Sequence, residues 1–128
     1  IARAAAARLE ETAGVRDAGL CHGAAGLAHL FNRMYQTSGV EELGTAARRW
    51  FDKTLDYRRP GEGVGGFLAF DPSGSVPGAV PGAAQWRSDP NFLEGSAGVG
   101  LALLGAVSTV EPAWDRLLLA SLPAPSGP

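Results

Sequence analysis

The sequence holds a single cysteine, a single methionine and two histidines in 128 residues. One thiol excludes an internal disulfide framework and suits a reducing compartment, so cytoplasmic localisation is expected. There is no excess of positive charge: eleven Lys and Arg stand against thirteen Asp and Glu, for a net charge of −2. Nothing in that balance draws phosphate, and nucleic acid is excluded as the expected partner. Long apolar runs are missing too. The longest, Val99 to Val107, falls far short of a bilayer, so no transmembrane segment is expected, and no signal-peptide pattern is present. An initiating Met is also absent. The opening "IARAAAARLEETAG" begins inside a helix former, and the expectation is a chain cut from something longer.

What is present in quantity is glycine, with 18 residues, proline, with nine, and alanine; 45% of residues are hydrophobic. That is enough for the core of one domain or part of one, with close backbone packing in some segments and irregular loops in others. Five helices are expected. The first runs from Ala2 to Ala13 and stops at Gly14. The second follows Gly23, places Leu27, Leu30, Phe31, Met34 and Tyr35 on one apolar stripe, and ends near Ser38-Gly39. The third starts after Gly39 and repeats the spacing with Leu43, Ala46, Ala47, Trp50, Phe51 and Leu55. From Gly95 to Val107 the residues are apolar or small on every side, the pattern of a fully buried helix. The fifth opens with Pro112, buries Trp114, Leu117 and Leu118, and is stopped by Pro123.

Residues 59–91 carry most of the prolines, with "GGFLAF" as a short strand candidate. So long a connection in a compact domain is a functional flap or a disordered excursion. The tail, 123–128, is expected to be disordered.

Two stretches repeat. "LCHGAAGLAHLF" and "FLEGSAGVGLAL" align Gly23, Ala25 and Gly26 with Gly95, Ala97 and Gly98. Each opens a helix with a small-residue face, where another backbone can come close and first-turn N–H groups are left accessible. Each small-faced helix precedes an amphipathic one. Alternating inner and outer helices are what a ring of helical hairpins requires, though too few hairpins are present to close one.

Cys21 and His22 stand at the foot of the second helix, where the dipole favours negative charge. Thiolate plus imidazole suits Zn²⁺, but two ligands do not hold it. His29 lies about 10 Å further along a helix, too far to share the ion. It falls with Asn32, Arg33 and Gln36 on the polar face, as a solvated or hydrogen-bonded surface histidine. Glu94 occupies the His22 position of the second repeat. It is the one catalytic candidate in the chain, or simply a helix N-terminal charge. On composition and spacing alone, a small buried cysteine beside an unrelated histidine is the better explanation of the pair.

"LCHGAAGLAHLF", with "FLEGSAGVGLALLGAV" and "EPAWDRLLLAS" downstream, resembles the C-terminal portion of the lanthionine synthetase C family, the cyclases that close thioether rings in lanthipeptides. The resemblance implies an all-α fold, a fragment of an α/α toroid of inner and outer helical hairpins, over residues 1–122. It implies a zinc ion held by Cys21 and His22, with a third ligand from an upstream cysteine that has no counterpart here. The family's upstream His, Arg and Asp are likewise unmatched, so the fragment alone is expected to be inactive. The implied partners are a dehydrated precursor peptide and a lanthipeptide dehydratase, in antibiotic or bacteriocin biosynthesis. Two further readings share the fold: a non-catalytic peptide-binding scaffold, and a relative that adds glutathione to dehydroamino acids. A toroidal glycoside hydrolase would need paired carboxylates, for which Asp71, Asp89 and Glu94 are the candidates.

Overall fold

The computed structural model describes residues 1–8, 13–73 and 85–122. Four α-helices carry it: α1 (Ala2–Ala6), α2 (Ala24–Ser38), α3 (Glu41–Asp56) and α4 (Ser96–Val107). Strands β1 (Ala69–Asp71) and β2 (Gln85–Arg87) form a two-stranded antiparallel ribbon, with Phe70 opposite Trp86, and a 3-10 helix spans Ala113–Leu118. The chain is predominantly helical, as the periodicity indicates. None of its described helices is long and apolar enough to cross a membrane.

Glycine sets the boundaries that sequence reading places best. α2 stops at Gly39, whose φ of 65° puts it in the left-handed region, and its N–H closes on the Tyr35 carbonyl. α3 begins two residues later. The helix expected from Ala2 to Ala13 starts at Ala2, but α1 ends at Ala6; residues 9–12 lie outside the described residues.

α2 is the central element, packing on α3 along one side and α4 along the other. Ala24, Ala28 and Phe31 join Leu43, Ala46, Ala47 and Trp50 of α3, with Ala6, in one core cluster. On the other side Ala25 joins Ala18, Leu20, Phe67, Val99 and Ala102 in a second. Because alanine and glycine dominate both faces of α2's first turns, neighbouring backbones approach closely there.

Burial of two faces overturns several expectations. Half of the supposed polar face of α2 is inside: His29 is 1% exposed and Arg33 is buried, while Asn32 is half-buried and Gln36 stays exposed. The reason is a carboxylate arriving from far along the chain. His29 Nε2 meets Asp115 Oδ2 at 3.3 Å, Arg33 Nε lies 2.8 Å from the same oxygen, and Glu111 pairs with the outer nitrogens of Arg33. The Arg33–Asp115 approach is close without being aligned as a hydrogen bond. Trp114 lies against the His29 ring with centroids 4.6 Å apart.

In the 3-10 helix, therefore, the buried residue is Asp115, Trp114 and Leu118 are half-buried, and Leu117 is 77% exposed rather than covered. The polar contacts of Asp115 seat this short element on α2. α4 is not buried all round either. Gly98, Val99 and Ala102 face the core while Leu104 and Val107 are exposed. Its composition offers two apolar sides, and the described residues cover one. Leu30 of α2 and Leu55 of α3 are exposed, and Thr54 takes the buried place at the end of the α3 stripe.

The described parts of 59–91 are ordered around the ribbon. Phe70 and Trp86 meet edge to face at 5.2 Å, with Arg59 over the Trp86 ring and Arg16 over the Phe70 ring. Residues 74–84 and 123–128, including Pro123, lie outside the described residues.

Candidate metal centre

The two repeats become two matching turns. Gly23 (φ −102°, ψ −173°) and Gly95 (φ −100°, ψ −175°) both serve as extended N-caps, without a side-chain cap. Backbone does the capping instead. Ala24, Ala25 and Gly26 donate their N–H groups to the carbonyls of Asp17, Ala18 and Gly19, and Ser96 donates to the Asp89 carbonyl. The first-turn amides of α2 are therefore paired, contrary to the accessible N–H groups expected at that helix start.

Each turn is folded around an aspartate six residues before its N-cap glycine, a signal present in the sequence as Asp17 and Asp89. Asp17 Oδ1 accepts the Gly19 N–H at 3.0 Å, and Asp89 Oδ1 accepts the Asn91 N–H at 2.8 Å. Both carboxylates are 1% exposed. Their importance shows only once the chain is folded, because each organises backbone rather than marking a motif. The two turns then abut: Leu20 and Cys21 both donate their N–H groups, at 2.8 Å, to the Leu93 carbonyl.

That arrangement leaves Cys21 and His22, neighbours in sequence, both exposed just before α2. The thiol is exposed, not sealed among apolar side chains. The His22 side chain is 53% exposed, and its Nε2 lies 3.7 Å from Asp17 Oδ2. This is an ion-pair distance, longer than a hydrogen bond. A cleft of about 330 Å³ runs beside the imidazole, lined by Gly14, Arg16, Asp17, Phe70 and Pro72.

Glu94 reaches the same region on the neighbouring turn. It is exposed, and its carboxylate is held by Arg87, which also grips Asp89. Asp89 is thus buried, and Asp71 accepts from the Ser73 N–H and hydroxyl at the end of β1. His29 belongs to the buried cluster with Asp115 and has no part in this mouth.

Among the described residues, no three His, Cys, Asp or Glu side chains gather as a metal-binding set. The two donors at the mouth fit zinc in kind: a soft sulfur and a borderline imidazole, both accessible to an ion. Together they would supply two of the four positions of a tetrahedral shell. That is at most a partial site, short of the three protein ligands a catalytic zinc takes.

No curated protein sequence matches the chain. Residues 1–119 match the family model of lanthionine synthetase C-like proteins, and the chain belongs to that family.

Proposed function

We propose that this member of the lanthionine synthetase C-like family contributes Cys21 and His22 to the zinc site of a thioether-forming cyclase. The third protein ligand would be a cysteine of the same polypeptide outside these residues. The observation that carries the reading is the exposure of both thiol and imidazole at the turn before α2. The chemistry zinc supplies when bound is Lewis acidity, which keeps a coordinated thiol deprotonated at neutral pH. The roles of this chain's residues are to hold and to orient. Cys21 brings negative charge to the site. His22 directs Nε2 toward Asp17, which leaves Nδ1 as its ligating nitrogen. The cleft beside His22 offers room for a stretch of peptide.

The net reaction adds S–H across a carbon–carbon double bond. Sulfur bonds to the β-carbon of dehydroalanine or dehydrobutyrine, and a proton is delivered to the α-carbon. Mass is conserved while one thiol disappears. The test follows from that balance. Dehydrated precursor peptide is incubated with the complete polypeptide carrying this chain, then alkylated, and its free thiols are counted by mass. Loss of alkylation sites is expected with the wild-type protein and no loss with Cys21→Ala or His22→Ala. Glu94→Gln is expected to retain ring closure, since that carboxylate is tied to Arg87. Full activity in Cys21→Ala with loss in Glu94→Gln would replace this reading with carboxylate chemistry. Mass gain from added glutathione would identify an intermolecular thiol adder instead.

A further inference from the structure

We infer that Asp17 is a positioning residue for His22, and that the β1–β2 ribbon holds Asp17 in place. The inference rests on the metal reading above and adds to it the group that orients the imidazole. Asp17 is almost wholly buried, yet its Oδ2 is the nearest carboxylate oxygen to a half-exposed ring, at 3.7 Å from Nε2. Its other oxygen is fixed by the Gly19 N–H. Oδ2 itself accepts the Phe70 N–H of β1 at 3.0 Å. The carboxylate is thereby held at both oxygens, with a lone pair of Oδ2 left toward His22. A small ring movement closes 3.7 Å to a hydrogen bond, which would set the tautomer and aim Nδ1 outward.

The second turn supports this reading because it solves the same problem differently. There Asp89 is held by the Asn91 N–H, and its Oδ2 is gripped by Arg87 of β2, which extends to Glu94. Glu94 occupies the place of His22. In both turns a buried aspartate is linked, directly or through an arginine, to the residue just before the N-cap glycine. One ribbon reaches both turns, through the Phe70 N–H of β1 at Asp17 and through Arg87 of β2 at Asp89. The β1–β2 ribbon is therefore keyed to both turns. The two aspartates share a structural duty, and only one faces a candidate ligand. That difference separates positioning from mere folding.

The experiment uses the complete polypeptide loaded with zinc, and competes the metal away with a chelator. Asp17→Asn is expected to weaken zinc binding by roughly 10- to 100-fold. Asp89→Asn, which removes the matching buried charge from the other turn, is expected to leave zinc affinity close to wild type while lowering the melting temperature comparably. Unchanged affinity in Asp17→Asn overturns the inference alone. So does equal weakening in both variants, which would mean that any damaged turn loosens the metal. A measurement without mutation stands beside these. In the ¹⁵N-histidine-labelled wild-type protein, the His22 signals, identified by their loss in His22→Ala, should show metal at Nδ1 and a proton at Nε2. Metal at Nε2 overturns the inference even if neither aspartate variant folds. A wild-type protein that takes up no zinc would instead remove the metal reading and this inference together.

Discussion

Gly26→Ala and Gly98→Ala are each expected to destabilise the protein by about 3 kcal/mol or more, at the severe end of overpacking. A methyl group at Gly26 would overlap the carbonyl oxygen of Leu20, and one at Gly98 the carbonyl oxygen of Phe92, with Leu20 Cβ 3.0 Å away as well. These are backbone atoms in the two interlocked turns, so no flexible side chain can move aside. The Leu20 carbonyl cannot retreat without disturbing the Leu20 and Cys21 N–H bonds to Leu93, which fix the backbone leading into Cys21 and His22. Gly100 gives the internal control. It sits on the exposed side of α4, where an added methyl would meet nothing within 4 Å, and alanine there should add up to about 1 kcal/mol through helix propensity. Urea midpoints measure all three. A Gly26→Ala protein as stable as wild type would mean the turns are not packed as described.

Asp115→Ala is expected to cost about 2–3 kcal/mol, because it leaves His29 Nε2 and the inner nitrogen of Arg33 buried without their carboxylate. The Arg33 side chain is 5% exposed and Asp115 is fully buried, while the outer nitrogens of Arg33 keep Gln36 and Glu111, the latter exposed at the rim. The 3-10 helix should loosen from α2 as this deep polar anchor is lost, and Trp114 with it. The same network sets a pH dependence. Burial holds the His29 pKa below its ordinary 6.5, against the opposing pull of the Asp115 hydrogen bond and charge; Arg33 adds to the lowering and Glu111 opposes it. The unfolded chain therefore takes up a proton at higher pH than the folded one does. Stability should be fully present above about 6.5 and fall as pH drops below it toward the folded value. His29→Gln should flatten that part of the profile, and comparing its urea midpoints with wild type at pH 7.5 and 5.5, which are roughly either side of the free imidazole value, isolates the imidazole. An unchanged slope in the variant would place the titration elsewhere.

The long helices and the repeat were legible because their signals are local. Gly39 must take a positive φ, and the paired Gly-Xaa-Ala-Gly stretches announce two like helix starts. The face of His29 and Arg33 was misjudged because polarity alone says outside, and the charge that makes burial tolerable lies 86 residues from His29. α4 carries apolar residues all round, and composition could not tell which side would be covered. At the candidate site, Cys21 and His22 could be picked out by residue type and spacing. Asp17 and Asp89 could not, although each stands six residues before its glycine, because their work is to bind backbone N–H groups and a neighbouring strand. The ribbon's connection to both turns exists only in three dimensions.

The central claim is that Cys21 and His22 together grip a metal. Elemental analysis of the complete polypeptide, purified without added chelator, tests it most directly. The account predicts one zinc per chain in the wild-type protein and in Glu94→Gln, and loss of that zinc in both Cys21→Ala and His22→Ala while the fold is retained. A folded wild-type protein free of zinc, or full zinc content in either of those two variants, would contradict it.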